Sequence, residues 1–301
     1  MSEKACVFLV NPASANGSTA KRWPKLHARA KELGLDGDQL LSERPGHLTE
    51  LAREAATEGK LIVVVGGDGT LNEVVNGIAG RDVELATIPI GTGMDFGRTY
   101  GIPTRFEDAV RVALEGRVRT IDAGRVHHRT WSGEEAERWF ANVGSVGMSG
   151  AVAQRVNGMS LPLGGKATYF YALTRVFLEW QNTEVTVSVD GEERSGRMHD
   201  VIVANGVWHG GGMKLAPDAR SDDGVFDVVL IGDVSKLDFL TTAPKIFSGR
   251  YVSHPKVEIL RGARVQVDAP EHLPLEVEGE QVGTTPATFE VVPGALHVRV
   301  P

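Results

Sequence analysis

"VVVGGDGTLNEVVNG", residues 63–77, runs three valines directly into a loop of three glycines around one carboxylate, Asp68. The apolar run reads as a buried strand, and the residues from about Leu71 to Ile78 repeat at helical spacing. Glycines let backbone N–H groups close on an anion because no Cβ stands in the way. A helix that starts just after them adds the positive end of its dipole. An aspartate would repel a bare phosphate there. It fits once a divalent cation stands between them, so the loop points to a magnesium-bound nucleotide. The plainer reading is a glycine turn whose Asp68 caps the next helix, and this stretch by itself leaves both open.

A second turn repeats the pattern. In "IPIGTGMDFGR" an apolar strand leads into Gly91, Thr92 and Gly93, and Asp95 opens a helical stretch. Two such turns, each carrying an aspartate, belong side by side at one edge of a sheet. Neither has G-x-G-x-x-G spacing, and the G-x-x-x-x-G-K-[ST] phosphate loop is absent, as are the protein-kinase signatures.

Working outward, the first 122 residues alternate short apolar runs such as "CVFLV", "LIVVV" and "LATIPI" with amphipathic helical patterns. That alternation predicts a parallel sheet covered on both faces, with ligands held at strand C-termini. From residue 123 to 301 the rhythm changes. After one helical stretch, "KATYFYALTRVFLEW", come closely spaced alternating segments from "EVTVSVD" to "ALHVRV", which predict an all-β sandwich-like domain. The pattern leaves open whether the last strand returns to the first domain.

Composition narrows the partners. The 301-residue chain carries a net charge of -7, which argues against nucleic acid and against general adhesion to an anionic membrane, while leaving room for a local basic patch to make such contact. Its single cysteine, Cys6, excludes an internal disulfide and suits a reducing cytoplasm. No signal-peptide pattern or membrane-spanning apolar run is read, and the nine histidines show no zinc-ligand spacing.

The chain resembles the diacylglycerol kinase catalytic-domain family, which includes bacterial lipid kinases and the sphingosine and ceramide kinases. The resemblance rests on "NPASANG" (11–17), "GGDGTLNEVVNG" (66–77), "IGTGMDFGR" (90–98), "GGGMKLAPDARSDDGVFDVVLI" (210–231) and "EVEGE" (276–280). It implies an α/β nucleotide-binding domain, like that of 6-phosphofructokinases and NAD kinases, joined to a β-sandwich, with the active site in the cleft between them. It implies ATP and Mg²⁺ as cofactors and transfer of the γ-phosphate to a lipid hydroxyl, foremost that of diacylglycerol. Nucleotide-binding positions carry over to Asn11, Pro12, Ala13, Ser14 and Ala15, to Ser42, to Gly66, Gly67, Asp68, Gly69, Thr70, Leu71 and Asn72, and to Thr92. Asp68 and Asp95 would organise magnesium and water, with Asp122 in a supporting network. Asp223, with the carbonyls of Arg220 and Val225, matches a structural magnesium site.

The resemblance also assigns the base. A lipid hydroxyl needs a carboxylate to accept its proton as it attacks phosphorus. Glu280 matches the family glutamate and Glu278 replaces the family aspartate, sharing or exchanging the role of base or metal contact. Met94 replaces a family asparagine and Ser42 a threonine. Rival readings are a soluble NAD-kinase-like or sugar kinase and a non-catalytic nucleotide- or lipid-binding regulator.

A lipid kinase would meet its substrate at the inner face of the membrane by peripheral contact. Tyr169, Phe170, Leu173 and Phe177, near Lys166 and Arg175, form either an interfacial helix or, as such stripes usually do, a packed one. The stretch from Lys245 to Arg264, with Lys245, Arg250, Lys256, Arg261 and Arg264 against the single acid Glu258, is a second candidate for that contact or, as scattered basic residues usually are, a solvated face. A homodimer is compatible with the sequence, which does not fix the oligomeric state.

Overall fold

The computed structural model describes residues 6–91, 93–157 and 165–301, with side chains throughout except at 157 and 165–170. The chain divides into two compact units. The first holds the residues through Ala123 together with Gly210–Gly212 and Val292–Pro301, and the second holds Gly124–His209 and Met213–Val291.

In the first unit, strands β1 (Cys6–Val10), β2 (Gly37–Leu41), β3 (Leu61–Gly66) and β4 (Glu84–Pro89) are parallel, in the order β2–β1–β3–β4. Every residue of β1 and β3 is buried, because helices cover both faces of the sheet. Those helices are α1 (Ser18–Glu32), α2 (His47–Ala56), α3 (Asp68–Ile78), α4 (Asp95–Tyr100) and α5 (Phe106–Glu115). Phe8 and Trp23 anchor the core with their rings 5.2 Å apart, and Trp23 Nε1 donates to Gln39 Oε1. His47 opens α2, and its Nδ1 accepts the Glu43 N–H.

The second unit is mainly antiparallel. Its strands are β5 (Arg117–Arg129, which begins in the first unit), β6 (Glu135–Phe140), β7 (Val143–Gly147), β8 (Thr183–Val189), β9 (Glu192–Met198) and β10 (Asp200–Ala204). They continue with β11 (Trp208–His209), β12 (Met213–Lys214), β13 (Phe226–Ile231), β14 (Val257–Gly262), β15 (Arg264–Asp268), β16 (Pro274–Val277) and β17 (Glu280–Val300). One layer runs β14–β13–β10–β7–β16–β17, and β9–β8–β15 joins β17 farther along. β17 serves both: Glu280–Thr284 pairs with β16, and Ala287–Glu290 pairs with β15. The two layers close on one core of alternating valines with Phe140, Phe226 and Phe289.

The strand at the end of the chain does not stop there. Its His297 and Val298 lie parallel to β4, so the sheet of the first unit includes the C-terminus. Among the described residues, the second unit also carries the helices α6 (Met148–Asn157), α7 (Gly165–Glu179) and α8 (Lys236–Thr242), the last followed by 3-10 turns at Ala243–Ser248 and Arg250–Ser253. Val176 and Phe177 of α7 are buried against Met148 and Val152 of α6, as a packed stripe requires. The side chains of Lys166, Tyr169 and Phe170 lie outside the described residues. Among the described residues, no helix is long and apolar enough to cross a membrane.

Candidate active site

Three loops follow the C-terminal ends of the adjacent strands β1, β3 and β4, where open α/β sheets bind ligands. The Asn11–Gly17 loop is tied to the next by Asn11 Nδ2, which donates to Thr70 Oγ1 at 3.2 Å. Asn11 Oδ1 accepts the Ala13 N–H, and Ser14 Oγ donates to the Asn11 carbonyl, which folds the loop on itself. Ser42 follows β2 and donates its N–H to the Val10 carbonyl.

Gly66 ends β3, and after Gly67 the helix α3 begins already at Asp68 rather than near Leu71. Extended Gly67 serves as the N-cap, and its carbonyl accepts the Leu71 N–H at 3.0 Å. Asp68, Gly69, Thr70 and Leu71 therefore form the first turn of the helix and Asn72 starts the second, and the N–H groups ahead of Leu71 have no partner within the helix. A Cβ on Gly66 would lie 2.3 Å from Thr70 Oγ1, so no larger residue fits. Gly67 faces the second turn: a Cβ on Gly91 would stand 3.2 Å from the Gly67 Cα. The two glycine turns are in contact. Thr92 lies outside the described residues.

Asp68 closes this cradle from below. Its carboxylate accepts the N–H groups of Asp95 at 3.0 Å and Phe96 at 3.3 Å, and a Cβ on Gly93 would fall 2.5 Å from its Oδ2. Burial pushes the Asp68 carboxyl upward, those N–H groups pull it down, and the Asp95 charge adds to the rise. Asp68 thus caps α4, the helix of the other turn, rather than its own.

Asp95 is buried at 5% exposure. One oxygen takes Arg98 Nη1 at 2.5 Å, and the other accepts the Gly211 N–H at 2.6 Å. The "GGG" of residues 210–212 is thereby fastened to the first unit. Arg98 also donates to the Gly93 carbonyl at 2.8 Å, a role without a local sequence signal. Asp122, also buried, accepts the Gly294 N–H at 2.9 Å and ties the C-terminal strand to β5.

In the second unit, Glu278 and Gly279 form the tight turn between β16 and β17, both at positive φ. Glu278 Oε1 accepts the N–H groups of Ala141 at 2.9 Å and Asn142 at 2.6 Å. Glu280 is ion-paired with Arg138 at 2.9 Å. The first acid of "EVEGE" is the one that sequence reasoning passed over. Glu276 is 1% exposed and bonded to Ser145 Oγ and the Gly279 N–H, with His209 Nε2 at 3.4 Å. Through Ser149 this chain reaches buried Asp200, whose carboxyl burial holds well above its ordinary range. The only clue in the sequence is that Glu276 stands between two core residues of a strand.

The loop proposed for structural magnesium is arranged around an arginine. Asp223 Oδ1 accepts the Val225 N–H at 3.4 Å, and its other oxygen is paired with Arg261 Nη2. Arg261 Nε also lies 3.7 Å from buried Asp227, whose Oδ2 has no hydrogen-bond partner. Arg220 pairs with Asp222 at 3.7 Å. With a guanidinium spanning both acids, these residues as arranged fit the arginine rather than a hard cation. Among the described residues, no group of three or more His, Cys, Asp or Glu side chains is placed to hold a metal.

Comparison with known proteins decides the assignment. Residues 5–126 match the diacylglycerol kinase catalytic domain, and residues 142–300 match the YegS C-terminal NAD kinase beta sandwich-like domain. A diacylglycerol kinase of Mycobacterium tuberculosis (strain CDC 1551 / Oshkosh) is 30% identical over 97% of this chain and 94% of its own. The chain belongs to the diacylglycerol kinase family. It is a kinase, a transferase of phosphoryl groups. A solved structure attributed to a diacylglycerol kinase of Bacillus anthracis str. Sterne has a TM-score of 0.81 at 22% identity, covering 99% of this kinase and 95% of that chain. Yeast NADH kinase, solved with NADH, shares the fold at a TM-score of 0.57 and 13% identity, over 99% of this kinase and 83% of that chain.

Proposed function

We propose that this kinase transfers the γ-phosphate of ATP to the hydroxyl of diacylglycerol, giving phosphatidic acid and ADP. The observation that carries the reading is the contact between the Gly67 and Gly91 turns at the start of α3. There, backbone N–H groups are free of Cβ obstruction and the helix dipole favours anions, which suits a triphosphate. The two turns can pack this closely because a Cβ at Gly66, Gly91 or Gly93 would meet Thr70, Gly67 or Asp68.

Magnesium bound with the nucleotide would offset part of its charge. Asp68 and Asp95 keep lone pairs beyond those spent on N–H donors, so either carboxylate has capacity to meet the ion or its water. Asn11 to Ala15 border the same cradle. The acceptor oxygen bonds to phosphorus as the bond to the ADP oxygen breaks, and the hydroxyl proton passes to a glutamate of the β16–β17 turn. Glu278 is held by two amides and Glu280 by Arg138, so each has a defined position from which to act.

Labelled γ-phosphate transfer to diacylglycerol in mixed micelles is the test, run beside soluble NAD and sugar acceptors. Labelled phosphatidic acid, lost in Glu278→Gln or in Glu280→Gln, is expected and tells the two acids apart. Label appearing only in a soluble acceptor, or no transfer by folded protein that binds ATP, would overturn the reading.

A further inference from the structure

The second unit carries an apolar face that its own packing does not explain. α8 begins with a complete capping box, Ser235 with Asp238, and is held against α7 by one side. Phe239 stacks on Phe177 with ring centroids 4.5 Å apart, and Lys236 Nζ donates to the Phe177 carbonyl at 2.8 Å and to that of Leu178. The helix is therefore anchored, and its free side is turned outward by construction. On that side stand Leu237 at 71% exposure and Leu240 at 60%, one helical turn apart, and the following 3-10 turn adds Phe247 at 59%.

Large apolar side chains on one short segment, rigidly presented, mark an interaction surface rather than scattered exposure. Charge says what it meets. The chain carries a net -7, yet between Lys236 and Lys256 four lysines and arginines stand against one acid, Asp238. Asp238 is itself paired with Lys256 at 2.9 Å. Lys236 is spent on α7, which leaves Lys245 and Arg250 as exposed cations two and three residues from Phe247 in the chain. Apolar insertion together with a few basic residues is the two-part signal of reversible binding to an anionic bilayer.

We propose that Leu237, Leu240 and Phe247, flanked by Lys245 and Arg250, dock this kinase on a bilayer rich in anionic phospholipid. The inference rests on the lipid-acceptor reading above and names the surface that brings the enzyme to its substrate. Insertion of the three tips supplies depth, and the two cations select the lipid charge.

The test is sedimentation of the full-length protein with vesicles of phosphatidylcholine, with and without phosphatidylglycerol. The wild type should bind the mixed vesicles. Leu237→Ser/Leu240→Ser/Phe247→Ser should weaken that binding by about tenfold or more. Lys245→Glu/Arg250→Glu should weaken it by about tenfold, on phosphatidylglycerol vesicles only. Both variants should phosphorylate a short-chain, water-dispersed diacylglycerol as the wild type does, which also reports that they fold. For acceptor embedded in vesicles their KM should rise with kcat unchanged. Triple-variant binding equal to wild type, or a wild type indifferent to both vesicles, overturns the proposal. So does a wild-type dimer that the triple substitution splits while vesicle binding persists, since the face would then cover a second copy. If vesicle binding depends on these residues but no lipid is phosphorylated, the docking surface stands and the lipid-kinase reading falls.

Discussion

Asp68 holds the N–H of Asp95 at 3.0 Å, so the acid of one glycine turn caps the helix that follows the other. The two turns are separated by more than a helix in sequence, and this bond makes them one device. This carboxylate accepts two backbone N–H groups, and the proposed function gives it a second role beside the nucleotide.

Asp68→Ala leaves the Asp95 and Phe96 N–H groups without their acceptor, so it should destabilise the first unit by roughly 1–3 kcal/mol. Turnover should fall by about a hundredfold or more as the cradle loses its geometry. Asp68→Asn, which retains one acceptor oxygen, should recover most of the stability and less of the turnover. Thermal unfolding and labelled phosphate transfer measure the two effects. An Asp68→Ala protein that melts like wild type while losing turnover would assign the residue to chemistry alone.

Met94 sits at φ 65 as the N-cap of α4, in the left-handed region that β-carbon crowding disfavours and that asparagine tolerates. This supplies a backbone reason for the family's asparagine. Met94→Asn should raise stability by about 0.5–1 kcal/mol, read as a shift in denaturant midpoint at constant slope. A lower midpoint would mean that methionine packing against the Gly91 turn outweighs the backbone relief.

Arg261 bridges Asp223 and Asp227 where the family resemblance places a structural ion. Chelator should therefore leave the melting temperature of the wild type unchanged. Arg261→Ala should lose about 1 kcal/mol, a modest figure because half of the guanidinium is in water, and should become stabilised by added magnesium. A wild-type melting temperature that falls with chelator would show that an ion holds this loop despite the arginine.

His199 is buried under Phe239, and its Nδ1 meets Asn182 Oδ1 at 2.9 Å. Burial, helped by the charge of Lys236, lowers its pKa from 6.5 to about 4. The folded protein thus favours the neutral ring, and the unfolded chain takes up the proton more readily. The stability this provides is present above pH 6.5 and is lost as pH falls from there toward about 4, on the order of 3 kcal/mol in all. His199→Gln should flatten that part of the stability curve, measured by chemical denaturation at a series of pH values. An unchanged slope would place the titration elsewhere.

The sequence alone determined the elements whose signal is local. "VVVGG" and "IPIGTG" declare buried strands ending in glycine turns, and doubly apolar strands demand a sheet covered on both sides. Alternation after residue 123 likewise announced antiparallel layers, since its period is a property of the backbone. Tertiary structure decided what each acid touches. Nothing near Asp68 in the chain says that its carboxylate reaches across to α4, nor that Gly211 would bond Asp95 from more than a hundred residues away. Exposed-looking Glu276 became the most deeply buried of the "EVEGE" acids, and Arg261 came to rest on Asp223, because strand register brings together residues that no local period relates. Hydrophobic periodicity is written along the chain, whereas hydrogen-bond partnership is settled only when distant backbone segments meet.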